Sequence, residues 1–85
     1  MSERKDGAQV NEELTFGQKA VGLTFNPGGN PSVNKIKKLY ADVIDELNEE
    51  RERTENPEAK RQLSVAITEA QTSQMWAVKA VTWQY

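Results

Sequence analysis

Two Asn-Pro pairs, Asn30–Pro31 and Asn56–Pro57, constrain this chain more than any other feature. Proline pre-sets φ for a first helical turn and lacks an N–H that would be unpaired there anyway. The asparagine before it supplies an N-cap. Each pair therefore reads as a helix start. No glycine or further proline interrupts the chain after either pair. The pattern predicts one helix from about Pro31 to Glu55 and another from about Pro57 to Trp83. Only a residue or two around Asn56 joins them, which forces an antiparallel αα-hairpin. At 1.5 Å per residue each arm spans roughly 35–40 Å.

The apolar spacing agrees. In the first segment Val33, Ile36, Tyr40, Val43 and Leu47 step by three and four, as one helix face requires, and Leu39 and Ile44 widen the stripe. The polar run after Leu47 reads as a solvated helix end, held by pairs such as Glu49 with Arg53. In the second segment Ala59, Leu63, Ala66, Ile67, Ala70, Ala77, Val78 and Val81 mark a face whose alanines admit a close neighbour. Met75 and Trp76 lie partly off that face and suggest a second contact surface.

Ahead of the hairpin, residues 1–13 offer almost nothing to bury and are expected to form a flexible polar tail. The stretch LTFGQKAVGLTF, residues 14–25, is apolar but broken by Gly17 and Gly22. It predicts a short helix or helical turn, then an extended piece folded back onto the hairpin. NPGGNP is a turn signal, since proline biases its predecessor away from helix and glycine accepts positive φ. The fold class is thus all-α, with a helical hairpin domain over residues 14–85.

A chain of 85 residues is one small domain with a modest core. It has neither cysteine nor histidine, which excludes disulfides, thiolate or imidazole metal sites and histidine acid–base chemistry. Self-association is the remaining aid to stability, and the stripe width with Trp76 and Trp83 suggests a bundle of hairpins. The lack of cysteine suits a cytosolic protein. Eleven basic residues against thirteen acidic argue against a nucleic-acid polymer as partner. No apolar run reaches membrane-spanning length, and the start has no apolar core of a signal peptide. The carboxylates from Asp42 to Glu55 read as a solvated helix face rather than as a metal or catalytic pair.

One placement asks for an explanation. Lys35, Lys37 and Lys38 crowd the start of the first long helix, where the dipole disfavours cations. An antiparallel hairpin brings that end beside the close of the second helix. Phe25, Asn26, Pro27 and Gly29 of the turn, the helix N–H groups, Lys37, Lys79, Thr82 and Trp83 then gather at one end. A helix start with open donors binds anions, and Phe25 and Trp83 offer stacking faces for bases. The group suggests a nucleotide ligand. The plainer alternatives are a solvated lysine face, a core Phe25 and a packing Trp76.

The runs FGQKAVGLTFNPGGNP and ITEAQTSQMWAVKAVTW, with the hairpin between them, resemble the hairpin-domain family of phage anti-defence proteins over residues 14–83. These are cyclic-nucleotide sponges that counter CBASS and Thoeris immunity. The resemblance implies a non-enzymatic homo-oligomer, typically a hexamer, in the host cytoplasm. It implies no cofactor, and pockets shared between protomers that hold cyclic dinucleotides, cyclic trinucleotides or cyclic ADP-ribose isomers intact. It also implies that Phe25 stacks on a base and that Lys37, in NKIK, and Lys79, in AVKAV, meet phosphate. On this view the three side chains share one recess. The rival is a helical-hairpin interaction or oligomerisation module with no small ligand.

Overall fold

The computed structural model describes residues 13–85, so the expected polar tail lies, up to residue 12, outside the described residues. The described chain forms a short helix α1, Phe16–Ala20, and two long helices, α2 Pro31–Arg53 and α3 Pro57–Val81. The all-helical hairpin is present. Its arms end two residues earlier than the sequence suggests, at Arg53 and Val81, and Thr54 to Asn56 make the linker.

Both Asn-Pro pairs act as helix starts. Asn30 Oδ1 accepts from the Ser32 N–H at 2.8 Å, and Asn56 Oδ1 accepts from the Ala59 N–H at 3.0 Å. At the start of α3, Arg61 and then Gln62 hydrogen-bond to Glu58 and hold its carboxyl below the usual carboxylate range. Contacts along the arms establish their antiparallel course. Near the linker Arg51 donates to Ser64 Oγ at 2.9 Å, and at the far end Asn30 Nδ2 donates to the Val81 carbonyl at 3.4 Å.

The core consists of Val21, Ala41, Ile44 and Ile67, with Ala20, Leu23, Tyr40, Leu47 and Ala70 packed against it. Burying a side chain such as Ile44, which is 0% exposed, contributes about 1.5–3 kcal/mol. The buried face of α2 is Val33, Lys37, Ala41 and Ile44. It is rotated from the stripe that the apolar spacing picks out, because Val43 and Leu39 face outward. The seam is centred on a small residue, Ala41, and includes a charged one, so apolarity alone points slightly to the wrong side. On α3 the expected face holds apart from exposed Val81, but Gln74 is buried within it.

Ala41 is small because α1 crosses over it. A Cβ at Gly17 would lie 2.1 Å from the Ala41 carbonyl oxygen and 2.9 Å from Asp45 Oδ1. That same carboxylate oxygen accepts the Gly17 N–H at 2.6 Å. Thr15 and Gln18 cap the start of α1 reciprocally. Its end is a Schellman motif: Leu23 N–H bonds to Gln18 O, Gly22 N–H to Lys19 O, and Gly22 takes φ +62°. The five residues of α1 are too few to hold a helix alone, so the two caps and the seat on α2 stabilise it.

This close seat gives a sharp expectation. Gly17→Ala should destabilise the fold by about 2 kcal/mol or more, through overpacking against backbone that cannot yield. Gly28→Ala, where a Cβ meets nothing within 4 Å, should change stability by less than about 0.5 kcal/mol. Urea unfolding of the two variants measures the difference. Equal effects would mean that α1 is not packed as described.

Candidate functional site

Lys37 organises the end of the molecule where the turn meets both long helices. It sits one turn after Val33 on the buried face of α2 and is only 5% exposed. Its ammonium donates to the Gly22 carbonyl at 3.0 Å and to the Phe25 carbonyl. It also lies 5.5 Å from the centroid of the Phe25 ring. One cation thus closes the segment from Gly22 to Phe25 around itself. Charge-assisted hydrogen bonds of this kind compensate the burial of the charge. The Phe25 ring itself is 71% exposed, so it is not a core residue. An aromatic face is held in solvent with a cation behind it, an arrangement stabilised electrostatically.

The turn is fixed next. Gly29 N–H bonds to the Asn26 carbonyl at 3.0 Å, with Pro27 at the second position and Gly29 at φ +67°. The Asn26 amide donates to Asn30 O at 2.9 Å and to Asn34 Oδ1 at 3.0 Å. These bonds lock the turn to the start of α2. They also close the helix N-terminus. The Ser32 N–H goes to the Asn30 side chain, and the Val33 and Asn34 N–H groups go to the Asn30 carbonyl. The open donors expected there for an anion are already satisfied within the chain.

A recess of about 160 Å³ remains beside the turn, with Phe25, Asn26, Pro27, Lys37, Val78 and Thr82 among its lining. Gly29 shapes the turn and does not line this recess. The Thr82 hydroxyl donates back to the Val78 carbonyl at 2.8 Å. Lys79 and Trp83 line a separate, open recess with Trp76 and Ala80. There the Lys79 ammonium lies 5.1 Å from the Trp76 ring and 5.8 Å from the Trp83 ring. Trp83 in turn meets Tyr85 edge to face. The structure therefore brings Phe25, Asn26, Pro27, Lys37 and Thr82 together, and places Lys79 with Trp83 around the side of α3. The single recess expected for Phe25, Lys37 and Lys79 is two recesses at one end of the molecule.

The other two lysines of the cluster differ. Lys35 is exposed, and Lys38 pairs with Asp42 at 4.0 Å on the open surface, where such pairs contribute little. Sequence reasoning missed Gln71 and Gln74, which line a third recess together with Lys19 and Lys37. The available signal was the spacing of Ile67, Ala70, Gln74 and Val78, which puts a polar amide on the packing face.

The match to known proteins falls on this region. The family model described as the Acb2/Tad1 hairpin domain matches residues 18–82, from within α1 to the end of α3. The chain belongs to the Acb2/Tad1 hairpin-domain family. This is the family of anti-CBASS and anti-Thoeris sponges, a family of binding proteins for cyclic nucleotides. No curated protein and no solved structure matches the chain. The matched span contains both Phe25 and Lys37 and the whole α2–α3 hairpin, while Trp83 and Tyr85 fall just beyond it. Among the described residues no helix is long and apolar enough to cross a membrane.

Lys37→Met tests the role of the buried ammonium. It leaves two carbonyls without their charged donor and should cost about 2 kcal/mol of stability. Urea unfolding reads the loss. An unchanged midpoint would show that the ammonium does not hold the turn.

Proposed function

We propose that this chain is an anti-defence sponge that binds cyclic oligonucleotide immune signals intact and keeps them from CBASS or Thoeris effectors. Cyclic dinucleotides and trinucleotides are the first candidates, with cyclic ADP-ribose isomers next. The observation that carries this reading is the exposed Phe25 ring held over the Lys37 ammonium, inside the span that matches the Acb2/Tad1 hairpin domain. A base stacked on that ring gains about 1–3 kcal/mol. The Lys37 charge acts through the ring and at the recess wall, and Asn26, Pro27, Gly29 and Thr82 shape the surroundings. Lys79, poised between the Trp76 and Trp83 indoles, is the more accessible cation for a phosphate. The proposed protein is not an enzyme, uses no cofactor and acts in the host cytoplasm.

Assembly belongs to the same proposal. Leu39, Val43, Met75 and Trp76 present large apolar surface to solvent. A homo-oligomer, expected to be a hexamer, covers that surface and completes pockets between protomers. Sequestration then works by mass action: nanomolar affinity corresponds to about −12 kcal/mol, and the protein must outnumber its ligand. The same exposed apolar surface supports a second reading, an assembly module with no small ligand.

Isothermal titration of the full chain with a panel of cyclic dinucleotides and trinucleotides separates the two. A sponge gives binding, a raised thermal midpoint, and ligand recovered unaltered after denaturation. Phe25→Ala should weaken binding by about tenfold or more with the oligomer mass unchanged, the oligomer being read by light scattering. Absent heats across the panel would leave the assembly module, and a cleaved ligand would make the protein an enzyme.

A further inference from the structure

Asp45 differs from the carboxylates around it. Glu50 and Glu58 accept from side chains of their own helices, Arg53, Arg61 and Gln62. Asp45 is half-buried and accepts instead from the backbone of another helix, the Gly17 N–H of α1, at 2.6 Å. Gly17 lies in the first turn of α1, where an N–H has no partner within the helix. A carboxylate at that end is favoured by the helix dipole as well as by the charged hydrogen bond.

Lys37, on the same side of α2, meets the opposite end of α1. Its ammonium donates to the Gly22 carbonyl, just past the last turn, and to the Phe25 carbonyl. Ala41, midway between, is where Gly17 meets the α2 backbone. Lys37, Ala41 and Asp45 thus step by four along α2, over about 12 Å at 1.5 Å per residue. On the same scale α1 with its caps, Thr15 to Gly22, covers about 10 Å. The two charges therefore stand at the two ends of α1, negative at its start and positive at its close. Reversed, α1 would set carbonyls against Asp45 and N–H groups against Lys37. The apolar contacts of Ala20, Val21 and Leu23 impose no such direction. A slip of one residue would put Phe16 or Gln18 where a Cβ has no room. Phe25 lies at the end of this path. Its N–H bonds to the Gly22 carbonyl at 2.9 Å and its own carbonyl to Lys37, so moving α1 moves the ring.

We infer that Asp45 is a positioning residue for the ligand face: with Lys37 it clamps α1 end to end, and through α1 it fixes the Phe25 ring. This rests on the cyclic-nucleotide function proposed above and adds to it a determinant of affinity two turns along α2 from Lys37. The ligand binds the arrangement with the ring in place, so affinity falls with the population of that arrangement.

The test compares the full-length wild type, Asp45→Ala and Asp45→Asn by titration with cyclic di-AMP, cyclic di-GMP and cyclic tri-AMP, at a temperature where all are folded. Asp45→Ala should weaken the tightest of these by about fivefold, and Asp45→Asn, which keeps an acceptor oxygen without the charge, by less. In a Phe25→Ala background the same change should matter by less than about twofold, since the residue acts through the ring. Asn56→Ala removes the α3 cap at the linker end and should lower the thermal midpoint without altering affinity. A readout free of ligand accompanies these. The Phe25 ring lies over the Lys37 ammonium, so its ring current should shift the Lys37 side-chain protons, and Asp45→Ala should lose most of that shift. If Asp45→Ala fails to fold, Asp45→Asn carries the comparison. A lowered midpoint with unchanged affinity and an unchanged ring-current shift would make Asp45 merely structural and overturn the inference while leaving the sponge standing. A loss of affinity that persists in full without Phe25 would overturn it too. A wild type that binds none of the three nucleotides counts against the sponge and removes the claim on affinity, and the ring-current comparison then decides whether Asp45 holds the ring.

Discussion

The whole of this end of the molecule depends on one buried ammonium group. Lys37 occupies a position on α2 where the packing pattern calls for an apolar residue, between Val33 and Ala41. The chain segment from Gly22 to Phe25 wraps that charge with carbonyl oxygens instead of excluding it. A turn that would otherwise have few tertiary anchors is thereby fixed to the long helix. The position of the Phe25 ring follows, since its own carbonyl is one of the two acceptors. The apolar core of Val21, Ala41, Ile44 and Ile67 holds the three helices together, and Lys37 decides where the connecting segment rests on them.

The second constraint is steric. Gly17 and Ala41 meet backbone to backbone, and Asp45 reaches around to accept the Gly17 N–H. This contact sets how close α1 approaches α2. Because Gly22 follows directly from α1 through its left-handed cap, the same contact also sets where the carbonyls presented to Lys37 lie. Packing at one glycine and electrostatics at one lysine are thus successive parts of a single positioning path from α1 to the aromatic ring.

The hairpin was legible in the sequence because its signals are local. Asn30 and Asn56 cap through their own side chains within three residues, and uninterrupted chain after each proline leaves little but helix. The short helix and turn were legible more coarsely: the reciprocal cap of Thr15 and Gln18 is a local pattern too, but the closeness of Gly17 to Ala41 is a contact across distant sequence. The inward side of α2 was misplaced by part of a turn for the same reason. A stripe drawn through apolar residues favours Val43 over Ala41 and has no way to include a lysine. Of the candidate site, the grouping of Phe25, Asn26, Pro27, Lys37 and Thr82 followed from the antiparallel topology. The separation of Lys79 and Trp83 from that group did not, since it depends on which way α3 faces. Gln74 was invisible to a search for charges and aromatics. Its meaning comes from burial, which no property of glutamine announces.

Asn30 links the two ends of the chain's fold in one further respect. Its side-chain oxygen caps α2 while its nitrogen reaches the Val81 carbonyl at the last turn of α3. An unravelling of either terminus therefore withdraws a bond from the other. The opening turn of α2 and the closing turn of α3 are tied by this bond, although some fifty positions separate Asn30 from Val81 along the chain.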